Sequence, residues 1–303
     1  MNHSTPRSSL PRRRRLPPWL RHRLPQDPAF AQTAALLKEL GVHTVCASAR
    51  CPNRWECWER RTATFMIAGD RCTRACRFCA VTTARPEPLD PSEPERVAEA
   101  AGRLRLRHVV ITSVARDDLP DGGAEHFRKT ILAVKRRLSG AVVEALTPDF
   151  QGDPEAVACV LSAGLEIFNH NLETVRRLTP RVRSKAAYER SLRTLRIAKK
   201  LGGEGLHVKS GLMLGLGETE EEVREAINDL REAGCNLLTL GQYLQPTPRH
   251  LPVAEYVPPN QFDRLAAYAR AKGFAFVAAG PLVRSSYHAD AFNPRQSAQA
   301  PKP

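Results

Sequence analysis

The sequence predicts an α/β protein: a partial (β/α)6-type TIM barrel with N-terminal and C-terminal extensions. Three observations predict it. Past residue 60, short β-branched or apolar runs alternate with longer amphipathic stretches, as parallel strands joined by crossover helices require. Acids and glycines punctuate the ends of those stretches. A cysteine-rich loop leaves the first run at the edge where a β/α barrel gathers its reactive groups.

In order, the candidate strands are 62–68, 108–113, 141–147, 165–169, 206–214, 236–241 and 274–279, and the candidate helices are 93–103, 124–138, 155–163, 185–201, 220–233 and 261–272. Asp153-Pro154-Glu155 reads as a helix start, and Gly164, Gly202, Gly234 and Gly273 lie just past four predicted ends. The chain then divides into a basic Pro/Arg-rich arm over 1–26, an N-terminal extension over 27–60, the barrel over 61–279 and a C-terminal extension over 280–303.

Length and composition set limits. The 303 residues, 42% hydrophobic and 26% charged, suffice for a full core and exclude global disorder. No long uncharged apolar run and no signal-like h-region is present, so we expect a soluble, cytoplasmic protein without a membrane partner. The net charge is +14, and the first 26 residues hold seven arginines and no acid. Prolines at 6, 11, 17, 18 and 25 make this arm an expected flexible segment. An Arg-rich, acid-free start is also a feature of organellar transit peptides, but the prolines break the amphipathic helix such a signal uses. A nucleic-acid binder would interleave aromatic residues with the basic ones, and at 6% aromatics no nucleic-acid partner is expected.

Eight cysteines are too few for a disulfide scaffold at this length, and six of them fall between Cys46 and Cys79, which points to metal ligation in a reducing compartment. Cys72, Cys76 and Cys79 form a C-x3-C-x2-C loop directly after the first strand. Three thiolates hold a [4Fe-4S] cluster with one iron open, whereas zinc wants a closed tetrahedral set. Cys46, Cys51 and Cys57 form a second triad, C-x4-C-x5-C. Six ligands suit neither one tetrahedral ion nor one cubane, so two clusters is the simpler count. Cys159 and Cys235, among apolar neighbours, read as inert core residues.

The loop at Cys72, Cys76 and Cys79, with Phe78 before the last cysteine, resembles the signature of the radical S-adenosylmethionine (SAM) superfamily. The N-terminal triad resembles that of the lipoyl synthase family, and so do His43-Thr44-Val45-Cys46, Ala63-Thr64-Phe65-Met66, Thr112-Ser113-Val114, Arg116-Asp117-Asp118-Leu119, Asp121-Gly122-Gly123, the stretch from Asn169 to Thr174, and Arg284-Ser285-Ser286-Tyr287. The likeness spans about residues 17 to 290. Two-cluster sulfur inserters that resemble biotin synthase or the methylthiotransferases are the alternative, and the N-terminal triad with the terminal RSSY argues against them. Departures are Ala47-Ser48, where acids are usual, and Arg61 in place of a common glycine.

The resemblance implies an enzyme that inserts two sulfur atoms at C6 and C8 of an octanoyl chain amide-linked to a lysine of a lipoyl carrier domain. Those C–H bonds have no accessible proton, so acid-base chemistry is excluded as the primary step. By the family mechanism, the cluster at Cys72, Cys76 and Cys79 binds SAM and releases a 5'-deoxyadenosyl radical, while a second [4Fe-4S] cluster at Cys46, Cys51 and Cys57 donates the sulfur. The RSSY motif supplies a serine to the second cluster's fourth iron, which matching places at Ser286, with Ser285 as the alternative and a simple turn-capping role for both as the competing reading. The implied partners are octanoylated carrier domains (dehydrogenase-complex E2 subunits and the glycine cleavage H protein), reduced ferredoxin or flavodoxin, and an iron-sulfur carrier for repair.

For SAM itself, Ser113, Asn169 and Glu173 are expected at the barrel mouth, with Arg183 pairing its carboxylate and Phe78 beside it. Gly211, Gly215 and Gly217 suggest a close backbone approach to the nucleoside. Arg50, Arg54, Arg71, Arg74 and Arg77 interleave with the cysteines, where cations offset cluster charge or meet an acidic carrier surface.

Overall fold

The computed structural model describes residues 15–21, 27–183, 185–287, 289–292 and 294. Seven strands lie side by side in chain order, all parallel: β1 (Thr64–Ile67), β2 (His108–Ser113), β3 (Val142–Leu146), β4 (Ile167–Asn169), β5 (His207–Leu214), β6 (Leu237–Gln242) and β7 (Phe276–Gly280). Ahead of the barrel come α1 (Ala29–Glu39), α2 (Val45–Ser48) and α3 (Arg54–Glu59). The crossover from β1 carries α4 (Glu93–Arg103), and the next two carry α5 (Ala124–Arg137) and α6 (Pro154–Leu161). A short α7 (Thr179–Val182) precedes α8 (Tyr188–Gly202), followed by α9 (Glu220–Glu232) and α10 (Pro259–Ala271). This is six β/α units followed by a seventh strand, with β1 and β7 as the edges among the described residues.

Strand alternation sorts the side chains. Phe65, Ile67, Val109, Ile111, Val143, Ala145, Phe168 and Val208 belong to the main core between sheet and helices. The alternate positions face the barrel interior, where charge is buried. Lys209 Nζ donates to both Glu144 oxygens at 2.9 and 3.1 Å, Asn169 Nδ2 donates at 2.7 Å, and His108 Nε2 lies 3.3 Å away. Burial alone would raise the Glu144 carboxyl, but Lys209 and His108 more than offset it and hold it at about 2. A carboxyl depressed from 4.5 contributes stability above that value and loses it as pH falls toward 2. Lys209→Met, which strands the buried carboxylate, should cost about 3–5 kcal/mol in denaturant unfolding at neutral pH, and adding Glu144→Gln should restore part of the loss. The Glu144→Gln single variant should also show less acid destabilisation between those two pH values than the parent.

Predicted boundaries shift by two residues at most, except at the start of α8. The helix expected from Lys185 starts at Tyr188, because Ala187 is extended and Lys185 instead reaches back to the Thr73 carbonyl. Gly202 is the last residue of α8, not a residue beyond it: Gly203 takes the positive φ of 66°, and a Cβ on Gly202 would fall 2.2 Å from Leu206.

The extensions are not appended outside the barrel. Thr44 caps α2 and bridges Phe65 on the free side of β1, while Met66 N–H donates to the His43 carbonyl, so the N-terminal segment runs along the β1 edge. Phe30 of α1 stacks on Trp58 of α3 at 5.4 Å. After β7 the C-terminal segment turns into the barrel, and Phe292 packs with Val142, Ile167 and Leu237 and sits edge-on to His207. The expected flexible arm needs correction where it is described: Pro18–Leu20 form a short 3-10 helix with Leu20 buried, while 1–14 and 22–26 lie outside the described residues. Among the described residues no helix is long and apolar enough to cross a membrane.

Candidate active site

A cavity of about 1240 Å³ opens at the carboxyl ends of the strands and is lined by all six clustered cysteines, together with Phe78, Ser113, Glu173, Arg183, Ser285 and Ser286. Both triads therefore face one space.

The downstream loop is fixed from several sides. Where β1 ends, Ala68 N–H donates to Glu93 at 2.7 Å, His126 meets the same oxygen, and Arg116 donates to the Ala68 carbonyl. Ala115 and Arg74 direct backbone N–H groups at the Cys72 sulfur, at 3.3 and 3.4 Å. The Arg74 side chain is buried and forks onto Asp117 at 2.7 and 2.9 Å while also reaching Asp149 at 2.7 Å. Its charge is spent on carboxylates, so it does not serve as the free cluster cation that its place in the loop suggested. Arg71 pairs with Glu87, Arg54 lies over Trp55 and Trp58, and Arg50 and Arg77 are exposed.

The upstream triad is laced to the C-terminal segment. Asn53 Nδ2 donates to the Leu282 carbonyl at 2.6 Å, and Tyr287 OH donates to Glu56 of α3 at 3.0 Å. Ser285 Oγ accepts from Asn169 at 2.9 Å and donates to Asn171 at 3.1 Å, so its hydroxyl is taken up by the protein. Ser286 Oγ accepts from Thr64 at 2.7 Å. Burial raises the Cys46 thiol to about 11 and Cys57 and Cys79 to about 12, and raises Cys51 and Cys76 as well. Neighbouring cysteines add to the rise at Cys46, Cys57, Cys76 and Cys79. Thiols this reluctant to ionise become ligands when a metal centre replaces their protons. Among the described residues no three metal-binding side chains converge on a single ion; a cubane instead asks for one thiolate at each of three corners.

The remaining predicted residues divide. Ser113 Oγ and Arg183 Nε are buried without partners on the cavity wall, which suits groups that await a polar ligand. Arg183 is not a solvated surface charge: its Nη1 donates to the Asn171 carbonyl at 3.0 Å. Glu173 is held at a left-handed φ of 68° by Glu173 N–H to the Gly211 carbonyl and Met213 N–H to the Glu173 carbonyl, outside any helix, and burial raises its carboxyl. Asn169 does not line the cavity. It is wholly buried beneath the wall, its amide shared between Glu144 and Ser285, and Asn171 occupies the lining position. His170 was not anticipated: it lines the cavity between the Thr147 carbonyl and Ser191 Oγ, and burial lowers it to about 4, so it is neutral. Nor was Arg284, a guanidinium on the cavity wall that burial lowers and an ionised Cys51 would raise. Gly211 lines the cavity, but Gly215 is tight against Gln242 and the Glu255 carbonyl rather than open to a nucleoside. Cys235 is fully buried and inert, while Cys159 is half-buried against Glu125.

Comparison with known proteins agrees with this arrangement. The Radical SAM superfamily model matches residues 66–230, and a model of the N-terminal domain of lipoyl synthase matches residues 2–51. A lipoyl synthase of Thermus thermophilus is 59% identical over 91% of this chain and 86% of its own length. One from Caldanaerobacter subterraneus is 56% identical over 91% and 96%. Streptococcus suis SuiB bound to its precursor peptide SuiA shares the fold, with a TM-score of 0.56 over 82% of this chain and 52% of that one at 13% identity. The barrel with its three-cysteine loop at the mouth thus defines a radical SAM enzyme, a class that uses a [4Fe-4S] cluster and SAM. Within that class, the chain belongs to the lipoyl synthase family.

Proposed function

We propose that this chain converts an octanoyl-lysine on a lipoyl carrier domain to a lipoyl-lysine by inserting sulfur at C6 and C8, with both triads working in one cavity. Cys72, Cys76 and Cys79 hold the radical cluster. Cys46, Cys51, Cys57 and Ser286 hold a second [4Fe-4S] cluster. When bound, the first cluster with SAM supplies the hydrogen-abstracting power that no side chain has, and the second supplies the sulfur. The donor sets fit: two thiol triads facing one cavity, five of the six thiols raised by burial, with an unpartnered Ser113 hydroxyl and an unpartnered Arg183 Nε on its wall.

The chain's own part is to bind, orient and exclude. Ser113, Glu173 and Arg183 surround the SAM site with hydroxyl, carboxylate and guanidinium groups, and Phe78 covers the loop from the apolar side. Met66, Val110, Leu146 and Met213 line the interior with apolar surface suited to an acyl chain. Ser286 is favoured over Ser285 as the ligand because the Ser285 hydroxyl both accepts and donates within the protein. A serine oxygen is a weaker iron ligand than a thiolate, as suits an iron that must leave. We also propose E2 subunits and the glycine cleavage H protein as carriers, ferredoxin or flavodoxin as reductant, an iron-sulfur carrier for repair, and the cytoplasm as the site of action.

The observation that carries this reading is that all six cysteines and Ser286 line one cavity. Anaerobically reconstituted protein with octanoyl-lysyl peptide, dithionite and SAM should give peptide bearing two sulfurs by mass spectrometry. Ser286→Ala should lower sulfur insertion at least about tenfold, and Ser285→Ala by less, the order that ligand loss against loss of a supporting hydrogen bond requires. Equal effects of the two variants would contradict the assignment.

A further inference from the structure

The Ala63-Thr64-Phe65-Met66 stretch contains a residue whose side chain the proposed chemistry has not yet used. Thr64 stands on β1, is 5% exposed, and its Oγ1 donates to Ser286 Oγ at 2.7 Å. Its backbone also favours the ionised form of the Cys46 thiol, and both residues line the cavity, so one strand residue neighbours two members of the upstream ligand set. Ser286 itself lies in an irregular segment, whereas Thr64 is locked by parallel pairing with Val110. A free serine hydroxyl samples three staggered rotamers. A short hydrogen bond from a rigid, β-branched strand residue selects one of them before any iron arrives.

We propose that Thr64 is the positioning residue that aims Ser286 at the centre formed by Cys46, Cys51 and Cys57, an inference that rests on reading Ser286 as that centre's fourth ligand. Asn169 performs the matching task for the preceding residue by donating to Ser285, so two successive hydroxyls are each held by a barrel strand. The sequence gives no hint of this pairing, because Thr64 and Ser286 are 222 residues apart.

The test uses full-length protein carrying Cys72→Ala, Cys76→Ala and Cys79→Ala, so that only the upstream centre loads. After anaerobic reconstitution, iron is withdrawn with a ferrous chelator and the iron subsites are compared by Mössbauer spectroscopy. Thr64→Val should lose iron about tenfold faster than the parent, the lower range for removing a hydrogen bond to a metal ligand. It should also lose the distinct signal of the oxygen-ligated iron. Thr64→Ser should restore both to within about twofold, since it keeps the hydroxyl. Ser286→Ala should be at least as fast as Thr64→Val, and the double variant no faster than Ser286→Ala, because the two act as one unit. A Thr64→Val protein that keeps iron and signal like the parent while Ser286→Ala does not would overturn the proposal, as would a Thr64→Ser protein no better than Thr64→Val. Should Ser286→Ala itself match the parent, the ligand assignment fails and the role of Thr64 fails with it.

Discussion

Replacing Cys46, Cys51 and Cys57 together with alanine should lower the iron content of the reconstituted chain from about eight to about four, by the count of two four-iron clusters, and should abolish sulfur insertion while SAM cleavage continues. The separation is expected because the two triads are supported by different parts of the chain. The upstream one rests on α2, α3 and the segment around Tyr287, joined through Asn53 and Glu56. The downstream loop rests on Glu93, Ala115, Asp117 and Asp149, none of which hydrogen-bonds that segment among the described residues. Uncoupled SAM cleavage with unmodified peptide is thus the diagnostic result, read by chromatography of 5'-deoxyadenosine and mass spectrometry of the peptide. Loss of SAM cleavage in parallel would mean that the triads form one centre.

The second large effect should come from Arg74. Its side chain is 6% exposed and forms the only bond from the cysteine loop to Asp149 among the hydrogen bonds described, in a set completed by Arg190. Burial would raise Asp149, yet Arg74 and Arg190 hold it well below the ordinary carboxylate range, so it stays charged at neutral pH. Arg74→Ala leaves that charge and Asp117 short of a partner, with an expected loss of about 3–5 kcal/mol in denaturant unfolding. Arg74→Lys keeps the charge but cannot fork onto two carboxylates, so it should recover only part of the stability. Displacing the loop by even about 1 Å should lower the rate of SAM cleavage by about a hundredfold. A lysine variant equal to the parent in both measurements would show that charge alone, without the fork, holds the loop.

What the sequence could reveal follows from which interactions are local. The grouping of the six cysteines that line the cavity was legible because each triad recurs at short spacings, and the β/α order was legible because alternation and helix periodicity are local properties. Helix starts with a side-chain cap, such as Asp153 ahead of α6 and Thr219 with Glu222 ahead of α9, also have local causes. The role of Arg74 was not legible, since its partners stand 43 and 75 residues away. Asn169 ends a strand and does face the barrel interior, but its amide is taken up by Glu144 and by Ser285, 25 and 116 residues away, and these remote partners keep it off the cavity wall. The path of the C-terminal segment was hidden for a similar reason. Phe292 finds its place through contacts with Val142, Ile167 and Leu237, three strands remote in sequence.

The central claim is that the upstream centre gives up its own sulfide. A single-turnover reaction on protein whose upstream centre alone carries isotopically labelled sulfide tests it directly, with mass analysis of the octanoyl-lysyl peptide as the readout. The arrangement of both triads around one cavity predicts labelled sulfur at both C6 and C8. Product carrying only unlabelled sulfur, with the label still bound to the protein, would contradict it.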